Sequence, residues 1–92
     1  MKAVLIMGST SDQPHADKIT GTLETLGIEH EVHAASAHKN PEKVLEIIRS
    51  FGENDAVVFV TIAGRSNALS GFVGANCNKP TIACPPFKDK VD

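Results

Sequence analysis

The chain has 92 residues, of which 41% are hydrophobic and 22% charged, and its formal net charge is −2. This composition is typical of one globular domain, here residues 1–92. The slightly negative net charge gives no overall attraction to nucleic acids or membrane surfaces. No apolar run could span a bilayer, the N-terminus lacks a signal-peptide pattern, and two cysteines, Cys77 and Cys84, suit a reduced cytoplasmic protein.

The chain begins with a predicted strand, a hydroxyl-rich turn and a helix. Residues 2–7 predict a buried parallel strand, because the residues after Lys2 form a continuous apolar run. From Gln13 the apolar residues recur at helical spacing, and Gly27 follows as a helix-ending glycine. In the turn, Gly8 allows a close backbone approach and Asp12 is expected to cap the helix. The turn is either an anion site at a helix start or a cap without a ligand.

The second strand and helix follow at short spacing. Residues 28–35 alternate in part between apolar and polar side chains, which predicts an edge strand with one wetter face. Asn40 and Pro41 predict the cap and the first residue of a helix, and Gly52 is expected to end it.

The last predicted elements are two strands separated by a short helix. Residues 56–62 are rich in β-branched side chains and predict a central strand. A second Gly/Ser turn at 63–67 leads into a helix over residues 67–76, which Gly71 and Gly74 weaken intrinsically. These small residues indicate either that another backbone packs closely there, from a second subunit for example, or that a short helix simply tolerates glycine. Residues 81–84 predict a final strand, which a double proline ends.

This alternation of strands and helices predicts an α/β fold. The expected architecture is a three-layer αβα domain with a flavodoxin-like parallel sheet of strand order 2-1-3-4. Binding sites in such sheets form outside the carboxyl ends of the strands. Because the turns at 8–12, 36–40 and 63–67 each follow a strand, we expect them to line one crevice.

The second turn carries the candidate for proton transfer. Of four histidines, only His38 follows the end of a predicted strand, and imidazole can exchange a proton near neutral pH. Lys39 beside it would attract an anion. Plain surface exposure of a loop histidine is the alternative. The remaining histidines show no metal-ligand spacing, so no metal is expected.

Several common sites are excluded by their missing motifs. The chain has neither a P-loop nor a G-x-G-x-x-G fingerprint, and no serine lies in G-x-S-x-G. A phosphoacceptor receiver domain would need acidic residues after the first strand and an aspartate ending the third, and neither is present.

Four segments of the chain form a set, and they are Gly8-Ser9-Thr10-Ser11-Asp12, Ser36-Ala37-His38-Lys39, Ala63-Gly64-Arg65-Ser66-Asn67-Ala68-Leu69-Ser70-Gly71 and Cys84-Pro85-Pro86. In their order and spacing they resemble the phosphoribosylaminoimidazole carboxylase family of purine biosynthesis. Lys39 and the run Arg65-Ser66-Asn67-Ala68 resemble the class II enzymes, which use carbon dioxide directly. The mutase class has arginine after the loop histidine and a glycine/alanine-rich third turn with a histidine.

The resemblance implies a role for each matched residue. It makes His38 the general acid/base at the ring carbon that is carboxylated. It assigns the 5′-phosphate of aminoimidazole ribonucleotide to Ser9, Ser11 and Lys39, and the ribose hydroxyls to Asp12. The ring and carboxylate pocket would be lined by Ser36, Gly64, Arg65, Ser66 and Ala68. No cofactor or metal is implied, and the alternatives are an N-carboxyaminoimidazole ribonucleotide mutase or a phosphoribosyl-binding module without catalysis.

One departure from the family concerns length. Its members usually continue past the double proline with a loop over the active site, another strand and a helix that helps to assemble an octamer. This sequence runs to Asp92. The chain is therefore either a fragment or a natural short form, and a homo-oligomer is the expectation that the family implies.

Overall fold

The computed structural model describes residues 1–63 and 68–86, which form a parallel sheet of strand order β2-β1-β3-β4 with helices on both faces. This confirms the predicted flavodoxin-like α/β architecture. The strands are β1 Lys2–Met7, β2 Glu29–Ala34, β3 Val57–Ile62 and β4 Thr81–Ala83. The helices are α1 Gln13–Thr25, α2 Pro41–Arg49 and α3 Ala68–Ala75.

The central strands are apolar on both faces because each face is covered by a helix layer. On one face α1 packs against β1 and β3 through Ala16, which is fully buried. On the other face α2 and α3 cover a cluster that contains Phe59, also fully buried. The ring of Phe51 meets Phe59 edge to face at a centroid distance of 5.9 Å, a favoured geometry for aromatic pairs. Burial on both sides explains why residues 3–7 and 56–62 are almost entirely apolar.

The helix ends agree with prediction in position more than in their hydrogen bonds. Gly27 has φ +71, the left-handed conformation that favours glycine after a helix. Asn40 occupies the cap position of α2, but its side chain makes no capping hydrogen bond, so that prediction is wrong in its mechanism. Its carbonyl oxygen instead accepts hydrogen bonds from the amides of Lys43 and Val44, at 3.1 and 3.2 Å. The helix ends at Arg49, earlier than Gly52 suggested.

The edges of the sheet carry its least buried strands. β2 lies at one edge, as predicted, and its residues are half-buried or exposed. β4 lies at the other edge and has three residues, of which Ile82 is 51% exposed. Cys77 and Cys84 are half-buried free thiols. Among the helices described, none is both long enough and apolar enough to cross a membrane.

Candidate functional site

The first two turns and the start of the third emerge side by side at one edge of the sheet. Met7 ends β1 and pairs with Ala34 on β2 and with Ile62 on β3. One residue further on, the amide of Gly8 donates to the carbonyl oxygen of Ile62, and the amide of Ala35 donates to that of Met7, both at 2.9 Å. The hydrogen-bonded ladder therefore continues into the turns and fixes where each one begins.

The first turn is a short 3₁₀ helix that is capped by serine. Ser9 is its N-cap, and the Ser9 hydroxyl accepts a hydrogen bond from the amide of Ser11 at 3.2 Å. The two serine hydroxyls lie 2.9 Å apart, and both residues are exposed. Two neighbouring exposed hydroxyls at a helix start can donate to one anion.

Asp12 does not cap the following helix, contrary to prediction. It occupies the N-cap position of α1 with φ −87 and ψ 0, and its side chain makes no capping hydrogen bond. The 3₁₀ turn explains this, because Ser9 does the capping one turn earlier. Asp12 is half-buried, and its carboxylate has no hydrogen bond to any residue within 1–63 or 68–86.

Gly8 is not required by the packing of the described residues around it. A Cβ atom built there would lie 3.8 Å from the Ile62 carbonyl oxygen and 3.9 Å from Cδ2 of Leu69, which are ordinary contacts. Its φ angle is not positive either, since Gly27 alone has a positive φ among the glycines described. The closeness of Leu69 to this built Cβ position shows that the start of α3, at Ala68, lies near the first turn.

Ser36 organises the second turn. Its hydroxyl oxygen accepts hydrogen bonds from the amides of His38 and Lys39, both at 3.2 Å, and its carbonyl oxygen accepts one from Asn40 at 2.8 Å. The side chains of His38 and Lys39 are exposed. Neither makes a hydrogen bond within the part of the chain that the structure describes, so both imidazole nitrogens and the ammonium group can reach a ligand.

The third turn is described only at its two ends. Gly64, Arg65 and Ser66 lie outside the described residues, as does Asn67. Ala63 and Ala68 flank them and are half-buried. The structure thus brings together the turn 8–12, the turn 36–40 and the two ends of the third turn.

His15 makes a long-range contact that no sequence pattern indicated. Its Nε2 atom lies 3.1 Å from the carbonyl oxygen of Cys84, just beyond β4. Because a carbonyl can only accept, the ring nitrogen is the donor. A histidine in a first helical turn carries no motif, so only the tertiary structure could reveal this partner.

Two other features lie away from this edge. A cleft of about 770 Å³ opens at the opposite end of the sheet, where Met1, Ala56 and Pro80 precede their strands.

A charged cluster joins β1 to β2, with Lys2 Nζ 2.9 Å from Glu31 Oε1 and His33 Nε2 2.9 Å from Glu31 Oε2. Hydrogen bonding to Lys2 lowers the pKa of Glu31, and the same contact raises the pKa of Lys2. Within the described ranges, no group of three metal-ligating side chains occurs.

Known proteins resemble this chain over nearly its whole length. A family model described as AIR carboxylase matches residues 2–92. A phosphoribosylaminoimidazole carboxylase of Archaeoglobus fulgidus is 61% identical over 90 residues, covering 98% of this chain and 49% of that protein. An N5-carboxyaminoimidazole ribonucleotide mutase of Methanocaldococcus jannaschii is 44% identical over 81 residues, covering 88% and 50%. The crystal structure of Treponema denticola PurE matches with a TM-score of 0.90 at 45% identity, covering 96% of this chain and 56% of that one. The chain spans about half the length of these relatives.

Proposed function

The chain belongs to the AIR carboxylase family, and from this we propose that it carries the ribonucleotide site of an enzyme that carboxylates 5-aminoimidazole ribonucleotide with carbon dioxide in purine biosynthesis. The observation that carries the proposal is the side-by-side emergence of the turns at 8–12 and 36–40, joined through Met7. Family membership supports this choice of reaction, and the neighbouring turns support this choice of site.

The 5′-phosphate would bind at the first turn. Ser9 and Ser11 offer adjacent exposed hydroxyls, and the amides of a helix start carry partial positive charge. Lys39, exposed on the neighbouring turn, would balance the phosphate charge. Asp12 has a carboxylate that is not used for capping, and it would accept hydrogen bonds from the ribose hydroxyls.

His38 would move the proton at the reacting ring carbon. This carbon is nucleophilic because the adjacent amine donates electron density into the ring. As it attacks carbon dioxide, a C–C bond forms and the electron pair of one C=O bond moves onto oxygen to give the carboxylate. The imidazole of His38 then takes the proton from the ring carbon, whose bonding electrons restore the aromatic ring, and passes it to solvent. General base catalysis of this kind contributes about 10²–10⁴-fold in rate.

The ring and the new carboxylate would be held by the second and third turns. Ser36 already accepts two amide hydrogen bonds, which leaves its hydroxyl hydrogen available to an acceptor on the substrate. The remaining lining residues of this proposal are Gly64, Arg65, Ser66 and Ala68. Arg65 would supply positive charge for the carboxylate.

The alternative activity is that of a mutase, which rearranges an N-carboxy ribonucleotide. The 44% identical relative from Methanocaldococcus jannaschii is named for that activity. The 61% identical relative from Archaeoglobus fulgidus is named as a carboxylase. Lys39 and the run 65–68 also follow the carboxylase pattern. We therefore favour the carboxylase.

We also propose that the protein acts in the cytoplasm and as a homo-oligomer. Two half-buried free thiols suit a reducing compartment. Gly71 and Gly74 are exposed on α3, and a Cβ atom at either would meet no described atom within 4 Å. A second subunit packing on this open face would explain small residues in a helix, and the family's octamer would provide that subunit.

The test uses the protein as its own gene produces it, with its intact mass measured first. Carboxylation of aminoimidazole ribonucleotide is followed in bicarbonate buffer without ATP, and conversion of the N-carboxy isomer is followed in parallel. Turnover with bicarbonate supports the carboxylase. Turnover of the N-carboxy isomer alone would make the protein a mutase. Calorimetric binding of the ribonucleotide with neither turnover would make it a binding module.

A further inference from the structure

We propose that His15 is a positioning residue that holds the first turn of the candidate site against the end of β4. The proposal rests on the proposed function for its effect on ribonucleotide binding, but its structural part stands on the His15–Cys84 contact. His15 Nε2 donates to the Cys84 carbonyl oxygen at 3.1 Å across 69 positions of sequence. His15 itself is half-buried.

The contact joins elements that the sheet keeps apart. α1 follows β1, whereas Cys84 follows β4, and β3 lies between these two strands. Cys84 is held on its other side as well, because its amide donates to the carbonyl oxygen of Thr61 on β3 at 2.8 Å. Its side chain also packs against the cluster that contains Ala16, the residue after His15. Cys84 thus connects β3 to the first turn of α1.

The contact matters because β4 is weakly held in the sheet. The strand has three residues and lies at the edge of the sheet, so few ladder hydrogen bonds secure it. In the turn that precedes α1, Gly8 is fixed by the sheet, but Ser9 and Ser11 beyond it are exposed and gain little from side-chain packing. The hydrogen bond between His15 and Cys84 therefore limits the movement of both segments. The turn at 8–12, which is proposed to bind phosphate, becomes better ordered as a result.

The chemistry of the contact makes a paired test possible. A donor at Nε2 is present both in one neutral tautomer and in the protonated ring, so the contact tolerates either state. Glutamine places its amide nitrogen near the position of Nε2, whereas asparagine reaches only as far as Nδ1. His15→Gln should therefore keep the hydrogen bond, and His15→Asn should lose it. His30→Asn is the matched control, because among the described residues the His30 ring bonds only to the nearby Ile28 carbonyl oxygen, through Nδ1 at 3.1 Å.

The first readout does not depend on activity. Amide hydrogen exchange is measured at Asp12, bonded to the Ser9 carbonyl oxygen at 3.0 Å, and at Cys84, with the buried amide of Leu5 as reference. In His15→Asn we expect exchange at both sites to rise about three- to tenfold, the range for losing one neutral hydrogen bond. His15→Gln and His30→Asn should stay within about twofold of the wild type. Unchanged exchange in His15→Asn, or equal increases in His15→Asn and His15→Gln, would overturn the proposal.

The second readout is steady-state kinetics with aminoimidazole ribonucleotide. His15→Asn should raise KM about three- to tenfold with kcat unchanged, and His15→Gln should restore KM. A fall in kcat at constant KM would overturn the positioning role and place His15 in the chemistry instead. If the wild type neither binds nor converts the ribonucleotide, the proposed function fails, while the exchange rates still decide whether His15 holds the two segments together.

Discussion

The amide of Gly8 donates a hydrogen bond to the carbonyl oxygen of Ile62 at 2.9 Å. This bond continues the β1–β3 ladder past the end of both strands, so the first turn and the residue that precedes the third turn share one rigid base. The corresponding bond from Ala35 to the Met7 carbonyl oxygen does the same for the second turn. Side chains on these turns can therefore be presented to one ligand without large adjustments of the backbone, which reduces the cost of binding.

Replacing Gly8 by alanine should impair binding while sparing the fold. A Cβ atom at this position makes ordinary contacts with the protein and meets no unfavourable φ, so folding stability should be unchanged or higher by about 0.4–1 kcal/mol. The methyl group would occupy space that the proposed phosphate approaches. We expect ribonucleotide affinity to fall about tenfold, which corresponds to ~1.4 kcal/mol, measured by calorimetry.

Gly52→Ala provides the control for Gly8→Ala. Gly52 is exposed in a turn at the opposite end of the sheet, and a Cβ atom there would lie 3.6 Å from Asp55 Oδ2. This variant should bind the ribonucleotide as the wild type does. Normal affinity in Gly8→Ala would show that no ligand approaches the backbone at Gly8.

The Lys2–Glu31 pair should make stability depend on pH in the acid range. The pKa of Glu31 is lowered in the folded state, so its contribution to stability is present above its ordinary value of 4.5 and is lost as the pH falls through the lower folded pKa. The pKa of Lys2 is raised, so its contribution is full below 10.5 and is lost at more alkaline pH. Lys2→Gln should therefore flatten the loss of unfolding free energy below pH 4.5.

Denaturant unfolding between about pH 2.5 and pH 7 measures this effect, with Lys18→Gln as the control. Lys18 is exposed and makes no ion pair with the residues described. A pH profile of Lys2→Gln that is parallel to that of the wild type would mean that the pair contributes nothing to stability. The effect should shrink in about 1 M salt, because both side chains are about one-third exposed.

The open face of α3 leads to a prediction about assembly. Gly71→Ala adds only a methyl group where no described atom lies within 4 Å, and alanine favours a helix over glycine by roughly 1 kcal/mol, so a separate subunit should become more stable. Gly71→Leu should instead break an assembly in which a second subunit packs on this face. Light scattering measures the molecular mass of each variant. An unchanged mass in Gly71→Leu would exclude α3 from the interface.

Local sequence patterns predicted the architecture because strand burial, helix periodicity and glycine conformation are local properties. The run 56–62 contains the central strand β3, α1 begins at Gln13, and Gly27 is left-handed, all as expected. The cap assigned to Asp12 was wrong because a 3₁₀ turn moves the capping role to Ser9. Serine and aspartate are both favoured at helix N-caps, and the sequence alone does not show that a 3₁₀ turn precedes α1.

The candidate site was predictable only in part. The convergence of the turns followed from the topology of a parallel sheet, which places consecutive strand ends at one edge. The ligand roles of Ser9, Asp12 and His38 came from family resemblance, and they remain predictions. The partner of His15 lies 69 positions away along the chain. It is a backbone carbonyl oxygen, which every residue has, so no pattern of side chains in the sequence indicates it.

The central claim is that His38 moves the proton at the reacting ring carbon, and the variant His38→Asn tests it most directly. Exchange of the ring-carbon hydrogen of aminoimidazole ribonucleotide for deuterium is followed by NMR, with ribonucleotide affinity measured by calorimetry on the same sample. We predict that exchange and carboxylation fall by about 10²-fold or more while affinity stays within about threefold, since asparagine keeps polarity but cannot act as a base. Weakened affinity with intact turnover would contradict the claim and make His38 a binding residue.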